Sequence, residues 1–164
     1  MENQEKTEIL QQEKKTSSNV IEFEKKQLTE DIQKAANWFY WIAGLSIANS
    51  LVFYFSKDLY FVVGLGITQF IDGIVSELMN GPNLIALILD LMIAGFFIFI
   101  GYMSRKYKKW AFVIGLAIYT LDALLYLYTG EWMAVGFHIF VIVMISRGFL
   151  KVFEYDKVCK QEIQ

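Results

Sequence analysis

Polar and apolar positions are segregated along this chain. Residues 1–34 are polar at most positions, and long apolar runs follow at about 36–55, 59–79, 84–104, 110–128 and 132–150. Apart from 59–79, these runs carry little charge and approach the ~20 residues a helix needs to cross a bilayer. A soluble helix would keep one polar face, and the strands of a membrane barrel would alternate polar with apolar. The pattern therefore predicts an all-α, polytopic membrane helical bundle.

The run at 59–79 differs from the others. Gln69, Asp72, Ser76 and Asn80 form a polar stripe at helical spacing, and Gly64 and Gly66 weaken its first half. Charge decides how it is used. The loop Arg105-Lys106-Tyr107-Lys108-Lys109, the tail with Lys151, Lys157 and Lys160, and the flank with Lys25, Lys26 and Lys34 are basic, whereas Thr129-Gly130-Glu131 has no Lys or Arg. The bias of basic residues toward the cytoplasm places both termini there, in a cytoplasmic (cell) membrane. That requires four crossings plus one non-crossing or re-entrant segment. The alternative, five crossings, would carry the charged N-terminal segment across the membrane without a signal peptide.

Three regions follow: a polar tail and amphipathic helix at 1–35, the transmembrane domain at 36–150, and a C-terminal tail at 151–164. Residues 1–18 read as disordered. A helix is expected from Asn19, which has capping-box spacing to Glu22, with Ile21, Leu28, Ile32 and Ala35 on one face. In the first span, Gly44 and Ala48 could admit a neighbouring helix, and Ser46, Asn49 and Ser50 make a polar face.

Composition narrows the function. The chain of 164 residues has a net charge of −2 and no basic stripe, so nucleic acid is not an expected partner. The partners it implies are the lipid bilayer and a membrane-protein partner or second copy of the chain. Cys159 is the single cysteine, so an internal disulfide, a zinc ribbon and a dithiol redox motif are excluded. No HExxH or GxSxG occurs, and Gly64-Leu65-Gly66 is followed by Ile67, not by the Asp of an intramembrane aspartyl protease.

The remaining chemistry is a polar layer within apolar runs. Asp122 and His138 each lie eight positions from Gly130 (130−122 and 138−130), which places both about 12 Å below that turn at ~1.5 Å per residue. Asp90, six residues into its span, falls near the same depth, and Asn49, Ser50, Gln69 and Asp72 can join it. Tyr119 and Tyr126 flank Asp122 by one turn on each side and offer a phenol–carboxylate network. An Asp at the centre of a membrane helix costs about 2.5–3.5 kcal/mol, so such residues are expected to face inward and be paired. Four readings stay open: a structural network that fixes helix register, a proton or cation site, a metal- or acid-dependent intramembrane hydrolase, and a site for lipid or another ligand. Asp90, Asp122 and His138 are the candidate metal ligands, suited to a divalent cation, and a Ser50–His138–Asp122 constellation is conceivable at one depth.

The runs WIAGLSIANS (Trp41–Ser50), FVVGLGITQFID (Phe61–Asp72) and YTLDALL (Tyr119–Leu125) resemble stretches of small, uncharacterised multi-pass membrane proteins of bacteria. The resemblance covers roughly residues 36–150. It implies a bacterial cytoplasmic membrane and carries no activity or catalytic residue with it.

Overall fold

The structure, a computed structural model, describes residues 2–56, 64–79 and 84–161. Regular structure in these residues is helical throughout: α1 (Glu2–Ser56), α2 (Gly66–Met79), α3 (Leu84–Arg105), α4 (Lys109–Thr129) and α5 (Trp132–Gln161). The helices α1, α3, α4 and α5 are each long and apolar enough to cross a bilayer. The 14 residues of α2 extend only about 21 Å, short of the roughly 30 Å hydrocarbon core. The bundle thus has four candidate crossings and one shorter helix. Asn80 and the start of the 59–79 run lie outside the described residues.

Each long helix turns one narrow stripe inward. In α3 the buried positions include Ala86, Asp90, Ala94, Phe97, Gly101 and Ser104; in α4 they include Ala111, Gly115, Tyr119, Asp122 and Tyr126; in α5, Ala134, His138, Val141, Ile145, Gly148 and Val152. Steps of three and four residues keep each stripe on one face. The remaining faces are apolar too. Met92, Leu121, Leu124 and Ile139 are exposed, and only 33% of the most apolar stretch of α3 and of α4 is buried. A hydrophobic belt of this extent belongs in lipid. Polar side chains of the layer sit on the inward stripes, where the cost of burial can be offset by partners.

Two expectations are corrected. The helix does not begin at Asn19: α1 is continuous from Glu2 through the stretch expected to be disordered. No Gly or Pro precedes Gly44, and Glu, Gln and Lys are good helix formers, so nothing local stops propagation. Gly44 and Ala48 do not admit a neighbouring helix within the bundle. Both are exposed, with nothing within 4 Å of a Cβ built at Gly44. The close crossing lies elsewhere, between α1 and α5, where a Cβ at Gly148 would collide with that of Ala35.

One end of the bundle collects the α3–α4 loop, the first half of α1 and the last turns of α5. Tyr107 there has a left-handed backbone (φ 61°). Its hydroxyl donates to Thr29 Oγ1 at 3.2 Å, and its ring stacks on Tyr155 at 4.5 Å. Lys109 pairs with Asp156, and Arg105 Nη1 donates to Asn37 Oδ1 at 3.1 Å. The opposite end carries the tight α4–α5 turn, where Gly130 (φ 80°) closes α4 by donating its N–H to Tyr126 O.

Candidate functional site

Helix α2 begins inside the bundle, and its start poses a problem that explains the polar layer. The first N–H groups of a helix lack partners within it, and in hydrocarbon no water can supply them. A side chain at the N-cap normally helps, but here that position is Leu65, which has no acceptor. Acceptors come instead from other helices. Leu65 N–H donates to Ser46 Oγ of α1 at 3.0 Å, Gly66 N–H to Asp122 Oδ2 of α4 at 2.9 Å, and Ile67 N–H to Asp122 Oδ1 at 2.8 Å. The Tyr126 hydroxyl donates to Gly64 O at 3.1 Å, and Thr68 Oγ1 to Leu65 O at 2.8 Å. A Cβ at Gly66 would lie 3.0 Å from the Tyr126 ring, so any larger residue there must push that ring aside.

His138 completes the clamp. Its Nε2 lies 3.0 Å from Asp122 Oδ2, and its Nδ1 lies 2.8 Å from Ala134 O. A carbonyl only accepts, so Nδ1 carries a hydrogen. A second hydrogen must then bridge Nε2 and Oδ2, as imidazolium–carboxylate or as imidazole–carboxylic acid. The pair is neutral overall in either form. Both Asp122 oxygens accept a backbone N–H, and the positive end of the α2 dipole points toward them. The imidazole stacks on Tyr119, with ring centroids 4.4 Å apart at 16°, and Tyr126 packs beside it at 5.0 Å.

The expected layer therefore exists but is divided. The equal spacing of Asp122 and His138 from Gly130 brings these two into contact. Asp90 does not join them: it faces Asp72 of α2, with Ser50 of α1 at its side. Asn49 packs against Gly64, and Gln69 lies beside the Tyr126 hydroxyl. The phenols do not bond the Asp122 carboxylate as expected, because Tyr126 reaches Gly64 O and Tyr119 stacks on the imidazole. Asp90, Asp122 and His138 do not assemble as metal ligands; among the described residues no three His, Cys, Asp or Glu side chains form a metal-holding group. The Ser50–His138–Asp122 constellation is not formed either, since both imidazole nitrogens are engaged and Ser50 borders Asp90. Ser46 was legible as part of a polar face but not as a cap, because its partner, the Leu65 N–H, is 19 residues away.

A cavity of about 680 Å³ opens between α3 and α4 beside the clamp. Met92, Phe96, Ile118 and Leu121 form its apolar walls, and Leu65, Ile67 and Asp122 lie at the α2 side.

These features define the class, a helical membrane protein: four helices long and apolar enough to span a bilayer, with a shorter helix held at its N-terminus by an Asp–His pair. No protein-family model, curated protein or solved structure matches the chain.

Proposed function

We propose that this chain is a binding or transport component of a bacterial cytoplasmic membrane, with both termini in the cytoplasm and a proton or small cation as its cargo. The observation that carries this reading is the start of α2 within the bundle, clamped by Asp122. An uninterrupted span would satisfy its own backbone. A helix that begins at membrane depth consumes polar side chains from α1, α4 and α5, and interrupted helices at that depth line binding sites and not lipid. The basic residues of the α3–α4 loop, of Lys25 and Lys26 and of the last turns of α5 gather at one end, which supports a cytoplasmic assignment for it.

Orientation is tested through Cys159, the sole thiol. An impermeant thiol reagent should label it in inverted vesicles and leave it unlabelled in intact cells; the opposite pattern inverts the topology. An N-terminal tag should be protected in the same cells. Function is tested by thermal unfolding of the purified chain across pH and cation series at constant ionic strength. A ligand that binds only the folded form raises the midpoint with concentration. Midpoints indifferent to every cation and to pH would favour the second reading, a structural or assembly subunit. That reading draws on the complete set of partners around Asp122.

A further inference from the structure

Asp72 and Asp90 differ from Asp122 in one decisive respect. They are 3% and 1% exposed, and their carboxyls face each other between α2 and α3. Yet both Asp90 oxygens, Asp72 Oδ2 and the Oγ of Ser50 make no well-formed hydrogen bond among the described residues, although Ser50 and Asp72 are the groups beside the Asp90 carboxyl. Asp122, by contrast, receives two backbone N–H groups and faces an imidazole nitrogen. Neither Asp72 nor Asp90 belongs to the described ion pairs, which join Lys34 to Asp31, Lys109 to Asp156, His138 to Asp122 and Lys151 to Glu154.

Two facing carboxylates without a cation violate the rule that intramembrane charges are paired. Protons supply one remedy, since a neutral acid can donate across to its neighbour. With one such proton shared and the Ser50 hydroxyl turned toward Asp90, the two carboxyls still keep acceptor capacity that no other described group uses. The groups converge as an all-oxygen donor set, two carboxyls and a hydroxyl, with no imidazole or thiol among them. Such a set selects hard cations over zinc or copper. Mg²⁺ gives up its water reluctantly, which disfavours it in a site this buried, whereas Ca²⁺ accepts flexible oxygen coordination.

We propose that Asp72, Asp90 and Ser50 form a binding site for a hard cation of the Na⁺ or Ca²⁺ kind, taken up in exchange for protons. The assignment rests on the proposed function above and gives its cargo a location. The facing groups are Ser50 from α1, Asp72 from α2 and Asp90 from α3. The ionisable pair of α4 and α5, Asp122–His138, holds α2 six residues earlier (72−66), about 9 Å along the helix, and is neutral overall. Asp72 therefore rides on a helix whose other end is fixed, and uptake of a cation ties α2 to α3.

The full-length protein in detergent is titrated with NaCl, CaCl₂ or ZnCl₂, with choline chloride as the ionic-strength control. Infrared difference spectra follow the protonated-carboxyl band, and a pH indicator counts released protons. Na⁺ and Ca²⁺ should each diminish the band and release one proton per positive charge taken up. Asp90→Asn and Asp72→Asn should abolish the release, and Ser50→Ala should weaken binding about tenfold, as for one lost neutral ligand. Cation-linked stabilisation that survives in both Asn variants places the cargo elsewhere and overturns this assignment alone. No response of the unaltered protein to any cation overturns this site, and indifference to pH as well overturns the proposed function with it. A response to Zn²⁺ that exceeds those to Na⁺ and Ca²⁺ and is lost in both Asn variants overturns the hard-cation assignment of this site.

Discussion

Replacing Asp122 with Asn tests whether the Asp–His pair holds the start of α2. The carboxylate accepts Gly66 N–H on Oδ2 and Ile67 N–H on Oδ1, with His138 Nε2 also at Oδ2. An Asn side chain offers one oxygen and one NH₂. However it is turned, the NH₂ meets a backbone N–H, so at least one buried donor is orphaned, at about 1–3 kcal/mol. Loss of the charge from the surviving contacts adds about 1 kcal/mol, the difference between charged and neutral bonds. Polar contacts between membrane helices average only ~0.6 kcal/mol, because separated helices find other partners. The N–H groups of Gly66 and Ile67 start a helix and have no intrahelical alternative, so the upper range applies, about 3–4 kcal/mol in all. Denaturant unfolding in mixed micelles measures the total, and hydrogen exchange read by mass spectrometry localises it. Exchange should accelerate at Gly66 and Ile67 while Val141 and Ile145 in the core of α5 stay protected. A loss below about 1 kcal/mol, or acceleration spread evenly over all helices, would refute the clamp.

At the α1–α5 crossing, Gly148→Ala places a methyl group against Ala35 and should destabilise the bundle by about 1–3 kcal/mol. Gly44→Ala, with open space around it, should leave the unfolding midpoint unchanged or slightly raised. Tyr107→Phe removes the hydroxyl bond to Thr29 and keeps the stack on Tyr155. It should cost about 0.5–1.5 kcal/mol by denaturant titration, and Tyr107→Ala should cost more. Tyr155, beyond the apolar part of α5, has its hydroxyl pushed above the ordinary tyrosine range by burial and by the neighbouring Cys159 and Tyr107. The folded chain then keeps a proton that the unfolded chain gives up above about pH 10. Stability should fall as pH rises past that point, and Tyr155→Phe should remove this step from the pH profile.

What the sequence revealed and what it concealed follow from the range of each interaction. Crossing helices were legible because apolar length is a local property, and the meeting of Asp122 with His138 was legible because both are counted from one tight turn. The GLG at Gly64–Gly66 marked a weak point in its run, but not that α2 starts there, because the caps come from Ser46, Asp122 and Tyr126 on other helices. Which small pair forms a close crossing depends on helix rotation, so Ala35 and Gly148 were no more conspicuous than Gly44 and Ala48. Depth alone could not divide the layer into Asp122–His138 and Asp72–Asp90, since residues at one level still point in different directions. The helix through residues 2–18 was missed by treating polarity as disorder, although Glu, Gln and Lys without Gly or Pro support a helix.

The cavity between α3 and α4 gives the clamp a second environment. Its walls are side chains that belong in oil, and it reaches Ile67, whose amide is held by Asp122. A molecule dissolved among the acyl chains can thus come sideways to the base of α2 without passing through either aqueous compartment. An oily compound could use that lateral approach to the bundle, which a hydrated ion could not.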